Sequence, residues 1–498
     1  MALLLIGMTP AAALAQPPTA DSARSSVAAE IAGQVSGKLK DFYSARGYWP
    51  VWIDGETVGA QADDLLALIE TSQLDGLDPR DYDPRGLRRA IEEAQSGEFR
   101  ALARAELALS RAFAALVEDM RRPARGATMR YLDEELEPRR ADPSAILRQA
   151  ALAPSFADYV HNAEWMSNFY MRLRHARALY DDDGRRSDHI DVPTGRTLKP
   201  GMSGADVEAL RERLGLHYEG GYDRALAARV RRFQAVEGLK DDGVAGPQTL
   251  AALNRDPGER RRLLAINLER ARLLPGPWVR HVVVDAASAR LWYYSNGALD
   301  GTMKVVVGAP DSQTPMMAGM VRYATLNPYW NIPSDLVERT VAPRILRGAS
   351  LVGMKYEALS DWSANPRRLN QSEIDWQAVA AGAQEVRVRQ LPGGNNAMGQ
   401  VKFMFPNDLG IYLHDTPARD LFARPARQFS NGCVRLEDAQ RLGRWFFGER
   451  LASADNAPEQ HRPLPQPVPV YLTYFTAVPE GDGVRFIDDV YGRDGDEP

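Results

Sequence analysis

The sequence is short of cysteine, of excess charge and of clustered histidine. Its 498 residues include one cysteine, Cys433, which alone cannot form an internal disulfide or build a zinc site, so it is either an inert buried thiol or a reactive one. The 61 basic and 66 acidic residues give a net charge of −5, which argues against nucleic acid as a partner. The 7 histidines show no paired-ligand spacing, so no metal is expected. The Gly-rich stretches also lack the ending of a nucleotide-binding loop, and no cofactor is predicted.

Long apolar runs are missing as well. After the N-terminus, no stretch approaches the roughly 20 apolar residues that a membrane span needs, so the mature protein is expected to be soluble. Residues 1–15 are apolar and end in Ala13-Leu14-Ala15, the small-x-small pattern of a signal-peptidase site. We therefore predict a signal peptide at 1–15 and export. An unpaired structural thiol is unusual in an oxidising compartment, which favours a functional role for Cys433.

The apolar pattern predicts an α+β multidomain protein that begins with helices. Residues 25–195 have mainly helical spacing and predict a helical domain. Residues 198–254 predict three short helices, the last of them after a Gly/Pro turn at 242–247.

From residue 279 the period becomes strand-like. Short β-rich runs over 279–477 predict a mostly β domain, and Asn296-Gly297 is a strong hairpin signal within it. Residues 334–390 predict a helical or irregular insertion that could cover a site. Residues 478–498 are interpreted as a C-terminal tail.

The candidate chemistry converges on residues 411–436. His414 ends a predicted strand, and Cys433 follows 433 − 414 = 19 positions later in the tight segment Ser430-Asn431-Gly432-Cys433. A neighbouring imidazole can activate a thiol for acyl transfer at neutral pH. Gly432 lets the backbone amides of Gly432 and Cys433 point together at a developing oxyanion, where each donor contributes about 3 kcal/mol. The pattern therefore indicates Cys433 as nucleophile and His414 as general base.

Four further residues are substrate-binding candidates: Arg435, Ser430, Asn431 and Tyr412. Arg435 can hold a carboxylate or phosphate through a two-pronged hydrogen bond, and a structural salt bridge is the alternative. Tyr412 shares a strand face with His414, so it lines the pocket or packs in the core. Since consecutive side chains on a strand point to opposite faces, a backbone carbonyl is a better partner for orienting His414 than the side chain of Asp415.

The segment 198–254 resembles the three-helix peptidoglycan-binding domain of cell-wall enzymes. The resemblance rests on Tyr222-Asp223, on Arg232-Phe233-Gln234 and on the turn Asp242-Gly243-Val244-Ala245-Gly246-Pro247. It implies a location at the cell wall. Contact with glycan or peptide stems and a role as a packed spacer both stay open.

The pattern of His414 followed by Ser430-Asn431-Gly432-Cys433 resembles the L,D-transpeptidase catalytic domain. The segments IYLHDTP, LFARPARQFSNGCVRLED and LNPYWNIPSDL are similar to the large periplasmic subclass, which also carries a helical scaffold and an inserted peptidoglycan-binding module. The resemblance covers roughly residues 40–477. Many smaller members carry His in place of Asn431 and Asn in place of Arg435, so only the roles of Gly432, Cys433 and His414 transfer.

The resemblance implies a two-step acyl exchange on peptidoglycan stems. Cys433 would attack the carbonyl between meso-diaminopimelate and the terminal D-alanine of a tetrapeptide, and a second stem's side-chain amine would resolve the thioester into a 3-3 cross-link. His414 would move the protons, with no ATP or metal. An L,D-carboxypeptidase or endopeptidase, in which water resolves the thioester, is the first alternative. A non-catalytic wall-binding scaffold is the second, although both His414 and Cys433 are present.

The resemblance also implies the setting of the activity. Peptidoglycan stem peptides and glycan would be the partners, with other cell-wall synthesis proteins as further candidates and carbapenems as inhibitors. The expected location is the periplasm, where the exported protein would be soluble or close to the membrane. Its expected role is in cell-wall organisation and cell shape.

Overall fold

The computed structural model describes residues 20–123, 129–138, 140–184, 191–217, 219–363, 365–453, 455–481 and 483–495. The predicted signal peptide at 1–15 lies outside these residues. The chain divides into two compact units, Met1–Arg122 with Arg139–Trp165 and Pro123–Pro138 with Met166–Pro498. No helix in the described part of the chain has both the length and the apolar character to cross a bilayer.

The first unit is helical and is organised around one long helix. Its elements are α1 (Ala20–Gln34), α2 (Lys40–Ala45), β1 (Ile53–Asp54), β2 (Thr57–Val58), α3 (Gln61–Glu70), α4 (Pro84–Ala94), α5 (Phe99–Met120), α6 (Pro143–Ala151) and α7 (Phe156–His161). Most of α5 is buried because Ala and Leu recur on several of its faces. Its buried Glu106 accepts hydrogen bonds from the backbone N–H groups of Val51 and Trp52 and from the Tyr43 hydroxyl. These bonds satisfy a carboxylate whose burial would otherwise be costly.

From Met166 onward, the second unit continues with helices. They are α8 (Asn168–Gly184), α9 (Ala205–Arg213), α10 (Arg224–Val236), α11 (Pro247–Leu253) and α12 (Pro257–Arg272). Helices α9 to α11 share an apolar core and confirm the predicted three-helix module. Buried Gln234 holds the Gly/Pro turn, since its Oε1 accepts from Gly243 N–H at 2.8 Å and its Nε2 donates to the Val244 carbonyl at 2.9 Å.

A large sheet follows the helices. Its strands are β3 (Arg130–Tyr131), β4 (His281–Asp285), β5 (Arg290–Ser295), β6 (Ala298–Gly308), β7 (Met317–Leu326), β12 (Val401–Met404), β13 (Leu413–His414), β14 (Gln428–Ser430), β15 (Val434–Leu436) and β16 (Gln460–Thr473). The strand order is β12-β13-β15-β6-β5-β4-β16-β7-β3, with β14 beside β6, and the sheet closes on itself because β12 also pairs with β7. The predicted hairpin joins β5 to β6, where Asn296 and Gly297 both have positive φ.

The insertion between β7 and β12 contains a small sheet, and the sequence did not predict three of its four strands. Helices α13 (Ser334–Leu336), α14 (Ala342–Leu346) and α15 (Trp376–Ala380) fit the helical or irregular expectation. They pack with a small antiparallel sheet of β8 (Trp330–Ile332), β9 (Tyr356–Leu359), β10 (Arg368–Leu369) and β11 (Arg387–Gln390), in the order β10-β9-β11-β8. These strands are two to four residues long and carry several charged side chains, so their period-2 pattern is too short to recognise.

The chain ends with further ordered elements. Helix α16 (Ala439–Phe447) follows β15, and β17 (Ala477–Glu480) and β18 (Gly483–Phe486) form a hairpin after β16. Part of the segment interpreted as a tail is therefore a hairpin within the second unit.

Candidate active site

The pairing of β13 with β15 decides which side chains meet. The two strands are parallel, with Leu413 opposite Val434 and His414 opposite Arg435. Leu413 and Val434 are fully buried, so they occupy the face that packs into the core. Because side chains alternate along a strand, the residues on either side of them point to the other face. That face carries Tyr412, His414, Cys433 and Arg435, which the structure therefore brings together.

The same face continues across the next strand and adds a residue that the sequence analysis missed. Lys402 on β12 is directly opposite His414, while its neighbours Val401 and Phe403 are fully buried. Its Nζ lies 3.3 Å from Glu459 Oε1 and 5.8 Å from the centre of the Tyr412 ring. The alternation of residues 401–403 is a sequence signal that places Lys402 on the face opposite the core. The pairing of Lys402 with His414 cannot be predicted from the sequence.

His414 is held in one tautomer by its backbone. Its Nδ1 lies 2.6 Å from the carbonyl oxygen of Asp415. Because a carbonyl only accepts, Nδ1 carries the proton and Nε2 keeps its lone pair in the neutral ring. The Asp415 carboxylate points elsewhere, to Arg419 at 2.6 Å and to the backbone N–H of Gln400 at 2.9 Å. The prediction that a backbone carbonyl orients His414 is confirmed.

The loop that presents Cys433 is fixed by Ser430. The Ser430 hydroxyl donates to the Cys433 carbonyl at 2.6 Å and accepts from the Gly432 N–H at 3.2 Å. Ser430 is buried and its hydroxyl is committed to the loop, whereas Asn431 is exposed at the tip. Gly432 has φ +102°, a left-handed conformation that favours glycine. Of the two predicted oxyanion donors, the Gly432 N–H is thus already bonded, and the Cys433 N–H has no acceptor in the described part of the chain.

The electrostatics of the site favour a neutral thiol beside a neutral imidazole. Burial raises the pKa of Cys433 to about 11, with the Tyr412 backbone, Arg435 and Lys402 acting in the opposite direction. Burial lowers the pKa of His414 to about 3, against the hydrogen bond to the Asp415 carbonyl, and the charges of Arg435 and Lys402 lower it further. At neutral pH the imidazole therefore has a free lone pair for a proton at Nε2, and the Cys433 thiol donates to the Gly410 carbonyl at 3.4 Å.

A neutral resting pair predicts how Cys433 reacts with iodoacetamide as pH changes. A pKa of about 11 leaves a thiolate fraction of roughly 10⁻⁴ at pH 7, which rises about tenfold per pH unit. We expect the alkylation rate, followed by intact-protein mass spectrometry, to keep increasing through pH 9.5. Because Cys433 is the single cysteine, the Cys433→Ala variant has no thiol to alkylate and is the negative control. A plateau below pH 8 would instead indicate a resting thiolate and imidazolium.

Arg435 is a half-buried cation on the same face. Burial lowers the pKa of its guanidinium, and the neighbouring Cys433 opposes that shift. No carboxylate in the described ranges forms an ion pair with it, so the salt bridge considered as an alternative is not observed there. The guanidinium is thus available for an anionic group beside the thiol.

The described residues contain no group of three His, Cys, Asp or Glu side chains that could hold a metal ion. The functional groups gathered on this face are a thiol, an imidazole, two cations and one unpaired backbone N–H. This set is equipped for nucleophilic attack on an acyl carbon with stabilisation of negative charge.

Three family models match the chain. Residues 279–446 match the L,D-transpeptidase catalytic domain, which includes the face described above. Residues 203–253 match the "Putative peptidoglycan binding domain", which corresponds to helices α9 to α11. Residues 37–176 match the scaffold domain.

The chain is also similar to individual known proteins. A Haemophilus influenzae protein described as "Putative L,D-transpeptidase" is 31% identical over 238 residues, which are 46% of this chain and 48% of that protein. The chain thus spans about half the length of this curated relative. Solved structures include an L,D-transpeptidase from Xylanimonas cellulosilytica, with 18% identity, TM-score 0.19, and coverage of 56% of this chain and 98% of the other. A mutant L,D-transpeptidase from Enterococcus faecium has 11% identity, TM-score 0.18, and coverage of 44% and 64%.

Proposed function

We propose that this chain, whose residues 279–446 match the L,D-transpeptidase catalytic domain, is a cysteine-dependent acyltransferase that forms 3-3 cross-links in peptidoglycan. The observation that carries the proposal is the shared face of β13 and β15. His414 and Cys433 lie on that face, and the Nδ1 of His414 is committed to a backbone carbonyl, so Nε2 is the ring nitrogen left to act as a base.

The first step forms a thioester. Cys433 Sγ attacks the carbonyl carbon between meso-diaminopimelate and D-alanine while its proton passes to His414 Nε2. The negative charge that develops on the carbonyl oxygen is stabilised by the free N–H of Cys433. When the C–N bond breaks, His414 returns the proton to the leaving amine, and D-alanine departs.

The second step resolves the thioester. The side-chain amine of a second stem attacks the acyl carbon, and His414 Nε2 takes the proton that the amine loses. The C–S bond then breaks, and the proton returns to the Cys433 sulfur. The new amide replaces the lost one, so the reaction conserves the energy of the donor bond and needs no ATP.

Two features support stem peptides as the substrate. The half-buried Arg435 has no carboxylate partner among the described residues, and a stem peptide supplies carboxylates close to the bond that breaks. The match of 203–253 to a peptidoglycan-binding domain supports contact with the wall polymer. We propose a periplasmic location, other cell-wall synthesis proteins as partners, and carbapenems as inhibitors that acylate Cys433.

Incubation with purified disaccharide-tetrapeptide, followed by mass spectrometry, tests the proposal. A dimer formed with loss of one D-alanine supports transpeptidation. Disaccharide-tripeptide without dimer would replace it with an L,D-carboxypeptidase. Unchanged substrate together with no carbapenem adduct would contradict an active cysteine enzyme and favour a wall-binding scaffold.

Gly432→Ala should damage the site without touching a reactive group. The new Cβ would lie 2.9 Å from Ile411 Cδ1, and the left-handed φ of +102° adds strain of about 1–2 kcal/mol. We expect a lower melting temperature and a lower rate of dimer formation. Gly348→Ala is the matched control, because its φ is also positive, at +96°, but its Cβ meets no atom within 4 Å. Equal rates in the two variants would contradict the role given to the Gly432 backbone.

A further inference from the structure

The Cys433 loop rests against residues 309–316, which connect β6 to β7. The backbone N–H of Ala309 donates to the Ser430 carbonyl at 2.8 Å, and Thr314 Oγ1 donates to the Gly432 carbonyl at 2.7 Å. Thr314 is 1% exposed, and its hydroxyl also accepts from the Gly308 N–H at 2.9 Å. Since an N–H only donates and a carbonyl only accepts, the hydroxyl proton is committed to Gly432. One buried hydroxyl therefore fixes the direction of this carbonyl.

The Gly432 carbonyl belongs to the same peptide unit as the N–H of Cys433. That peptide is trans, so its C=O and N–H point in opposite directions. When Thr314 holds the carbonyl behind the loop, the Cys433 N–H is aimed away from Thr314. This N–H has no acceptor in the ranges that the structure describes. A fixed and unpaired N–H beside a nucleophile is a ready donor for an oxyanion.

Residues near the end of the chain hold Thr314 in turn. The Tyr491 hydroxyl donates to the Gly308 carbonyl at 2.5 Å. The Arg493 guanidinium donates to Gln313 Oε1 at 2.8 Å and to the Thr314 carbonyl at 3.1 Å. Gln313 Nε2 completes the connection by donating to the Tyr491 carbonyl at 3.1 Å. The loop behind Cys433 is thus bonded to residues 491–493 at several points.

The end segment is itself tightly constrained. The Tyr491 ring stacks on Tyr474, with centroids 5.0 Å apart and planes at 11°. Asp489 Oδ1 accepts from the Tyr474 hydroxyl at 2.8 Å and from the Arg493 N–H at 2.9 Å, and its Oδ2 accepts from the Asp494 N–H at 2.8 Å. These contacts tie residues 489–494 to Tyr474, the residue that follows β16.

We propose that Thr314, supported by Tyr491 and Arg493, is a positioning residue that aims the Cys433 N–H at the oxyanion of the acyl transfer. The proposal rests on the function proposed above. It extends the site beyond the Cys/His segment, to a threonine more than 100 positions earlier and to a segment interpreted from sequence as a tail.

The test compares two reactions of the same thiol in the full chain. Acylation by a carbapenem develops an oxyanion, whereas alkylation by iodoacetamide displaces iodide and develops none. We expect Thr314→Val to lower the acylation rate about tenfold to a hundredfold, because a misaimed oxyanion donor loses most of its effect. Its alkylation rate should stay within about twofold of the parent. Thr314→Ser restores the hydroxyl and should restore acylation.

A matched control removes a comparable hydroxyl elsewhere. Thr473 is also buried and donates to a backbone carbonyl, that of Val284, at 3.0 Å. Thr473→Val should leave the ratio of acylation to alkylation unchanged even if it lowers the melting temperature. Tyr491→Phe, which removes the bond to Gly308, should lower this ratio in the same direction as Thr314→Val but by less.

The outcomes separate the two proposals. A parent chain that forms no carbapenem adduct would overturn the proposed function. If the parent forms the adduct and Thr314→Val is acylated at the same rate, the positioning role alone is overturned. Equal losses of acylation and alkylation in Thr314→Val would also overturn it, because they would show a damaged thiol environment rather than a misaimed N–H.

Discussion

We expect Cys433→Ala to abolish both dimer formation and D-alanine release from disaccharide-tetrapeptide, with a melting temperature close to that of the parent. Removal of the nucleophile leaves no atom that can form the thioester, and the expected loss is on the order of 10⁴-fold or more. Cys433 is half-buried at the end of a loop, so the lost sulfur removes little packing. Product formation is measured by mass spectrometry, and folding by thermal denaturation.

Cys433→Ser is the companion variant. Serine keeps the shape of the side chain but has a much weaker nucleophile in a site with a neutral base, so it should bind substrate and remain almost inactive. Parent-level activity in either variant would contradict the mechanism. Because the chain has no other cysteine, no second thiol can substitute for Cys433.

We expect His414→Gln to lower acyl transfer by about 10² to 10⁴-fold and to leave the thiol chemically competent. The amide cannot accept a proton at the position of Nε2, so the thiol is not activated near neutral pH. At pH 9.5 and above, hydroxide forms the thiolate, and iodoacetamide should still alkylate Cys433 in this variant. The measurement is the ratio of dimer formation at pH 7 to alkylation at pH 9.5.

His281→Gln is a close control for that experiment. His281 is also buried in the second unit, and its Nδ1 lies 2.6 Å from the Val279 carbonyl. Burial lowers its pKa to about 4, a shift of the same direction and cause as in His414. It differs in lying on β4, away from the thiol. Similar losses of activity in the two variants would show a structural effect and contradict the role of His414 as a base.

Short-range signals explain what the sequence could predict. Asn296-Gly297 determines a hairpin by local backbone geometry, and Pro247 begins a helix after a Gly turn, so both elements appear where they were expected. Cys433 and His414 could be singled out because few residue types perform nucleophilic attack and proton transfer. The orientation of His414 by a backbone carbonyl followed from strand alternation alone.

Long-range pairing explains what the sequence could not predict. Lys402 joins the catalytic face through the register of β12 on β13, and Thr314 reaches Gly432 from another strand connection. Neither position carries a local pattern that distinguishes it from an ordinary surface lysine or buried threonine. The sheet of the insertion was missed for the same reason, because β9 and β11 can be recognised as strands only from their pairing with each other.

The assignment of Cys433 as the acylated residue can be tested by trapping the intermediate. A disaccharide-tetrapeptide whose side-chain amine is acetylated can donate an acyl group but cannot accept one. Mixed with the protein and quenched with acid within milliseconds to seconds, it should add the mass of the donor minus D-alanine, and peptide mapping should place that mass on Cys433. Release of D-alanine without an adduct at any time, and equally in Cys433→Ala, would contradict the account.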